Sequence, residues 1–182
     1  MGVLVYVDNS NVWIEGMHVS AVEKGLALSV WDAQQNRITD GSWRFDFGRL
    51  YEFAGGDDVK KAFLYGSRPP PNDSLWNIAR SKGFDVVVFD RNVANREKKI
   101  DTQIAADMIE HSYELAKPGQ DEFTLVAGDT DFVPVIEKLR KRRFRVDVCF
   151  WRHASKELKE AATKFVELDP WLDYLALRKD QR

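Results

Sequence analysis

The sequence predicts a three-layer α/β domain, Rossmann-like, with a mainly parallel central sheet of about five strands. Three observations carry this. Short apolar runs rich in β-branched and aromatic residues recur along the chain, as strands covered on both faces require. Stretches with helical spacing separate them. The two kinds alternate, which is the order that joins parallel strands by helices.

The first strand is residues 3–7 and the first helix residues 12–24. Residues 27–45 break the pattern. They hold Gln34-Gln35-Asn36, Asp40-Gly41, Trp31 and Trp43, and we expect an insertion with a turn or small hairpin there. Asp46 is placed to cap a helix over 47–53 that Gly55-Gly56 ends. Residues 62–65 form the second strand. A helix over 72–81 follows, with Leu75, Ile78 and Ala79 on one side and Gly83 as its stop. Residues 86–89 are the third strand. Over 101–115, Ile104, Met108, Ser112 and Leu115 recur at helical spacing, giving the longest helix, opened by Asp101. Residues 124–127 are the fourth strand, and 132–142 a helix that tolerates Pro134 in its first turn. Residues 146–150 are the fifth strand, and 155–182 read as helix in two pieces parted at Asp169-Pro170. The expected division is one domain over 1–168, containing the insertion, and a C-terminal helical extension over 169–182.

Composition narrows the function. Of 182 residues, 27 are Lys or Arg and 29 Asp or Glu, a formal charge of -2. A global basic footprint for nucleic acid is absent, so any such contact must come from local patches. The single cysteine, Cys149, excludes an internal disulfide and a multi-cysteine zinc site, and we read it as a small buried hydrophobe. The first residues lack the basic and apolar regions of a secretory signal. No apolar run reaches the ~18 residues of a membrane span. Gly2 precedes a core strand and is read as such rather than as a lipidation signal. The expectation is a cytoplasmic protein without a membrane partner.

The informative residues are acids that follow strands. Asp8 follows the first, in Val7-Asp8-Asn9-Ser10-Asn11, and Asp129 the fourth, in Gly128-Asp129-Thr130-Asp131. In an open parallel sheet all strand C-termini share one edge, and ligands bind where strand order reverses. If strands one and four adjoin at that point, Asp8 and Asp129 face each other, and Asp101 can project to the same edge. Two carboxylates about 4 Å apart repel by roughly 4 kcal/mol at an effective dielectric of 20. Either one takes a proton or a cation sits between them. Oxygen ligands without a thiol or histidine cluster suit Mg²⁺ or Mn²⁺, which usually serve phosphate chemistry. The plainer account is that each acid only caps a turn or helix. The joint placement of Asp8 and Asp129 favours a site, with Asn11 placed to orient water or phosphate.

Three motifs together resemble the NYN domain family, in its LabA-like branch: Val5-Tyr6-Val7-Asp8-Asn9-Ser10-Asn11, Lys99-Ile100-Asp101 with Asp107 beyond, and Gly128-Asp129-Thr130-Asp131-Phe132. The resemblance spans about residues 1–168. It implies a PIN-like fold and a divalent-metal site for RNA hydrolysis, with Asp8, Asp101, Asp129 and Asp131 as metal-binding and catalytic acids and Asn11 as their partner amide. Asp107 matches a further family acid, but six residues on a helix turn it away from Asp101, and it is given a supporting role. Family members tend to carry glycine between the last helix and the fifth strand, where this chain reads Lys141-Arg142-Arg143-Phe144-Arg145. A left-handed turn there would cost about 1 kcal/mol.

Phosphate contacts come mostly from Lys and Arg. Arg96, Lys98 and Lys99, just before Asp101, and Arg68, after the second strand, are therefore candidate RNA contacts. Trp13, one turn after Asp8, is a candidate for stacking on a base. The denser run from Arg140 to Arg145 falls at the opposite edge and reads as a solvated helix end. His18, His111 and His153 form no metal or triad spacing, and Ser10 and Ser67 have no visible base. A haloacid-dehalogenase-type phosphatase would need an acid where Ser10 stands, and a dinucleotide site would need glycines that the first turn lacks. The function expected is a Mg²⁺- or Mn²⁺-dependent ribonuclease on single-stranded or structured RNA. The alternative is a catalytically weak RNA-binding or regulatory module of the same fold.

Overall fold

A computed structural model describes residues 1–68, 74–90 and 96–178, with Arg68, Asp90, Arg96, Glu97 and Lys98 described in backbone only. The apolar runs become strands β1 (Val3–Asp8), β2 (Val59–Arg68), β3 (Asp85–Asp90), β4 (Glu122–Val126) and β5 (Arg145–Phe150). A sixth, β6 (Lys164–Glu167), corrects the helical reading of the C-terminal stretch. It pairs with the outer edge of β5, from Asp147↔Lys164 to Phe150↔Glu167. Four residues carry little periodicity of their own, and it is the neighbouring strand that selects their extended form.

Every pairing is parallel, and the order is β3-β2-β1-β4-β5-β6. Strand order reverses between β1 and β4, as the ligand-site argument requires. Helices cover both faces: α1 (Asn9–Glu23), α2 (Val30–Asn36), α3 (Phe47–Gly55), α4 (Ser74–Ser81), α5 (Arg96–Glu114), α6 (Val133–Lys141), α7 (Lys156–Ala161) and α8 (Leu172–Leu175). Alternation along β1 makes the layers. Val5 and Val7 enter a core with Val12, Leu50 and Trp76, whereas Leu4 and Tyr6 enter one with Ile104, Met108 and Ile136. No helix among the described residues is long and apolar enough to cross a membrane.

Two further expectations change. Residues 27–45 contain the helix α2 and then the expected turn, closed by Trp43 N donating to Asp40 O at 3.1 Å, and not a hairpin. Ser29 caps it, its Oγ accepting from Asp32 N at 3.0 Å, while Asp32 Oδ2 accepts from Leu28 N at 2.9 Å. The buried Asp40 anchors the segment. It accepts from Ser20 Oγ at 2.7 Å and Ser42 Oγ at 2.6 Å and pairs with Lys24. Burial alone would raise the Asp40 pKa, but these donors outweigh it and hold the carboxyl well below the usual range. Trp43 is buried against Trp151 at 5.7 Å, so only Trp31 of the two insertion tryptophans is exposed. The second change is that α5 begins at Arg96, so Asp101 lies inside the helix and does not open it.

The basic run at the end of α6 is structural. Arg140 donates to Ala161 O, Arg142 stacks on Tyr113 and bonds Ser112, and Arg145 pairs with Asp147. Arg143 has φ +69°, so the left-handed turn does fall on a non-glycine. Its N–H reaches Arg140 O and that of Phe144 reaches Leu139 O, the bond pair that closes a helix around a left-handed residue.

Candidate metal centre

Strand register places the acids. Val7 pairs with Val126 across β1 and β4, so Asp8, at the end of β1, and Asp129, three residues past Val126, lie on the same edge. Asp8 is buried and caps α1, its Oδ1 accepting from Asn11 N at 3.2 Å. Asp129 caps the 3-10 turn Thr130–Phe132, its Oδ1 accepting from Asp131 N at 2.8 Å. Capping and convergence therefore coexist, because one oxygen of a carboxylate suffices for a cap. The Asn11 side chain does not point to open space. Its Oδ1 accepts from Gly128 N at 3.2 Å, which ties the loop after β1 to the loop after β4.

Asp101 reaches this edge from the second turn of α5. Carboxylate oxygens of Asp101, Asp129 and Asp131 lie within 4.8 Å of one another. Asp8 lies next to this group: it lines one cleft with Asp101 and Asp129, and its charge acts on Asp101. Burial, and then the negative charges of Asp8, Asp129 and Asp131, push the Asp101 pKa up to about 7. A proton or a cation must therefore hold these groups together near neutral pH. The donors are all oxygens, the ligand chemistry of Mg²⁺ and Mn²⁺, and the residues fit such an ion.

The acids open on a cleft of about 280 Å³, lined by Asp8, Asn11, Asp101 and Asp129 with Ser10, Ile14 and Ile100. Among the described residues, no cationic side chain lines it. Gly128 makes the loop possible. A Cβ there would meet the Phe150 ring at 2.0 Å, so only glycine lets Asp129 leave β4 on this path. Ile14, Ile100 and Phe150 escaped the sequence reading because they read as ordinary core residues. Gly128 gave a visible signal as the glycine directly before Asp129.

Residues 27–169 match the family described as NYN domain. The chain belongs to the NYN family. The matched span of this NYN domain contains Asp101, Asp129 and Asp131, whereas Asp8 and Asn11 precede it. No curated protein matches the chain. The fold is similar to the crystal structure of a protein of unknown function from Vibrio parahaemolyticus RIMD 2210633. The TM-score is 0.68, with 23% identity over 97% of this chain and 96% of that chain, a likeness of fold alone.

The other predicted positions divide. Lys99 is exposed on α5 of the NYN domain, two residues before Asp101. The side chains of Arg68, Arg96 and Lys98 lie outside the described residues. Trp13 is half-buried, edge-on to Phe45 at 6.2 Å and Phe47 at 6.1 Å, and it does not line the cleft. Asp107 faces β2, accepting from Tyr65 Oη at 2.7 Å and Gln103 Nε2 at 2.6 Å. The Tyr65 bond fastens α5 to the sheet below the acids, while the Gln103 bond lies within the helix. His111 bonds Tyr6 Oη at 2.9 Å, while His18 and His153 both meet Glu15. Burial pushes the Cys149 thiol up to about 12, as suits an inert core cysteine.

Proposed function

We propose that this NYN domain is a metal-dependent ribonuclease. Asp8, Asp101, Asp129 and Asp131 would hold one or two Mg²⁺ or Mn²⁺ ions. The carrying observation is the convergence of Asp101 on α5 with Asp129 and Asp131 in the loop after β4, their carboxylate oxygens within 4.8 Å of one another, beside a cleft that Asp8 also lines. Bound there, a divalent cation supplies Lewis-acid charge to a phosphodiester and makes water a nucleophile near neutral pH.

The chain's own groups do the positioning. Asp101 would give up its proton to hold the cation. Asn11 fixes the spacing of the Asp8 and Asp129 loops through Gly128. Ser10 and Ile14 shape the mouth of the cleft. Lys99 lies beside Asp101 in sequence and is assigned a phosphate contact with Lys98, Arg96 and Arg68. We assign no base contact to Trp13, whose ring is engaged by Phe45 and Phe47. No protein nucleophile is needed.

The test is Mn²⁺-dependent cleavage of single-stranded and structured RNA by wild type and Asp129→Asn. Cleavage by wild type that falls at least a hundredfold in the variant supports the assignment. Equal cleavage rejects the role of Asp129. Mn²⁺ binding with no cleavage of any RNA favours the regulatory module.

A further inference from the structure

A second, larger cavity of about 840 Å³ runs between α5 and α6 and ends at Asp101 and Asp131. It is therefore continuous with the acidic cluster. Its walls are Ala105, Ala106 and Ile109 on one side and Pro134 and Val135 on the other. The two alanines leave a slot between the helices that larger side chains would fill. These apolar stretches of wall do not solvate a phosphate, but they suit the flat face of a base. The volume is within the range of small-molecule sites. Lys138 stands at the rim, about two helical turns beyond Asp131, or roughly 10 Å along the chain axis. That places a cation on the far side of an occupant whose own phosphate lies at the acids.

We propose that the α5–α6 groove seats an unpaired nucleobase of the strand whose phosphate lies at the acidic cluster, with Lys138 holding the next phosphate. The proposal rests on the ribonuclease reading and adds to it a base subsite. Glu110 lines the same groove and offers an acceptor to a base bearing an exocyclic amine.

The test uses the full chain with Ca²⁺ and a labelled single-stranded RNA pentamer, intact or abasic at one position in turn, read by fluorescence anisotropy. One abasic position is expected to weaken wild-type binding about tenfold. Ala106→Phe fills the slot from an exposed helix position. It should weaken the intact pentamer by a similar factor and make the abasic change immaterial. Ala105→Leu serves if that variant folds poorly, with retained Mn²⁺ stabilisation as the check on folding. Lys138→Met should weaken binding several-fold and lower its salt dependence. Equal affinity of wild type and the filled variant for the intact pentamer overturns the proposal, as does a wild type that binds no RNA. If the groove fails while wild type still cleaves RNA, the ribonuclease reading stands alone. If binding follows the pattern without cleavage, that reading fails and the base subsite stands.

Discussion

Asn11 Oδ1 accepts from Gly128 N at 3.2 Å across the junction of β1 and β4. Asn11 N meanwhile donates to Asp8 Oδ1. One asparagine therefore connects Asp8, through its backbone N–H, to the loop that carries Asp129, through its side-chain oxygen. Asn11→Ala removes the acceptor and leaves a part-buried N–H unpaired. It is expected to cost about 1 kcal/mol of stability and to weaken Mn²⁺ binding about tenfold. Denaturant melts and calorimetric titration measure the two effects separately.

Gly128→Ala drives a methyl group into the Phe150 ring. Overpacking of this kind costs about 1–3 kcal/mol, and here it also shifts Asp129. RNA cleavage should fall more than stability alone explains. Gly128→Ala with Phe150→Leu, which opens space, should recover part of both, as measured by thermal melts and initial rates.

The raised pKa of Asp101 sets a pH dependence. With the folded value about 7 and the ordinary value 3.8, the native state holds more protons than the unfolded state between them. This contribution to metal-free stability is full below 3.8 and is lost as pH rises through 7. Asp101→Asn removes the charge. Its metal-free melting temperature should therefore exceed that of wild type by a few degrees at pH 8, on the order of 1 kcal/mol, and by less at pH 5. Mn²⁺ held at these acids would compete with the same proton, so the stabilisation it gives wild type should grow from pH 6 to pH 8. In Asp101→Asn that growth should disappear.

The sequence made the acids of the two strand ends legible for a physical reason. Parallel strands share a C-terminal edge, so Asp8 and Asp129 needed only the strand assignments to be brought together. Asp101 was legible as an acid but misplaced at a helix start. The charged residues before it carry no apolar stripe, so nothing local announced that α5 begins at Arg96. The cap of α2 was visible as Ser29 followed three residues later by Asp32, a capping-box pattern hidden by the surrounding polar residues. The strand β6 was not legible, because its extension depends on the edge of β5. The α5–α6 groove was likewise invisible, since Ala105 and Ala106 are ordinary helix formers until a neighbouring helix leaves space beside them.

Arg143 tests the backbone account away from the site. Its φ of +69° costs a non-glycine residue about 1 kcal/mol. Arg143→Gly relieves this and returns part of the gain through unfolded-state entropy. A net stabilisation of about 0.5 kcal/mol is expected in denaturant melts, with RNA cleavage unchanged. Arg143→Val should destabilise, because a branched side chain fits the left-handed region poorly.

The proposed holding of a cation by Asp8, Asp101, Asp129 and Asp131 is tested most directly by anomalous diffraction at the manganese edge from crystals grown with Mn²⁺. A strong peak between these four carboxylates, lost in Asp129→Asn crystals, is the expected result. A well-ordered, Mn²⁺-saturated crystal with no peak there, or with the ion held by other residues, would contradict the assignment.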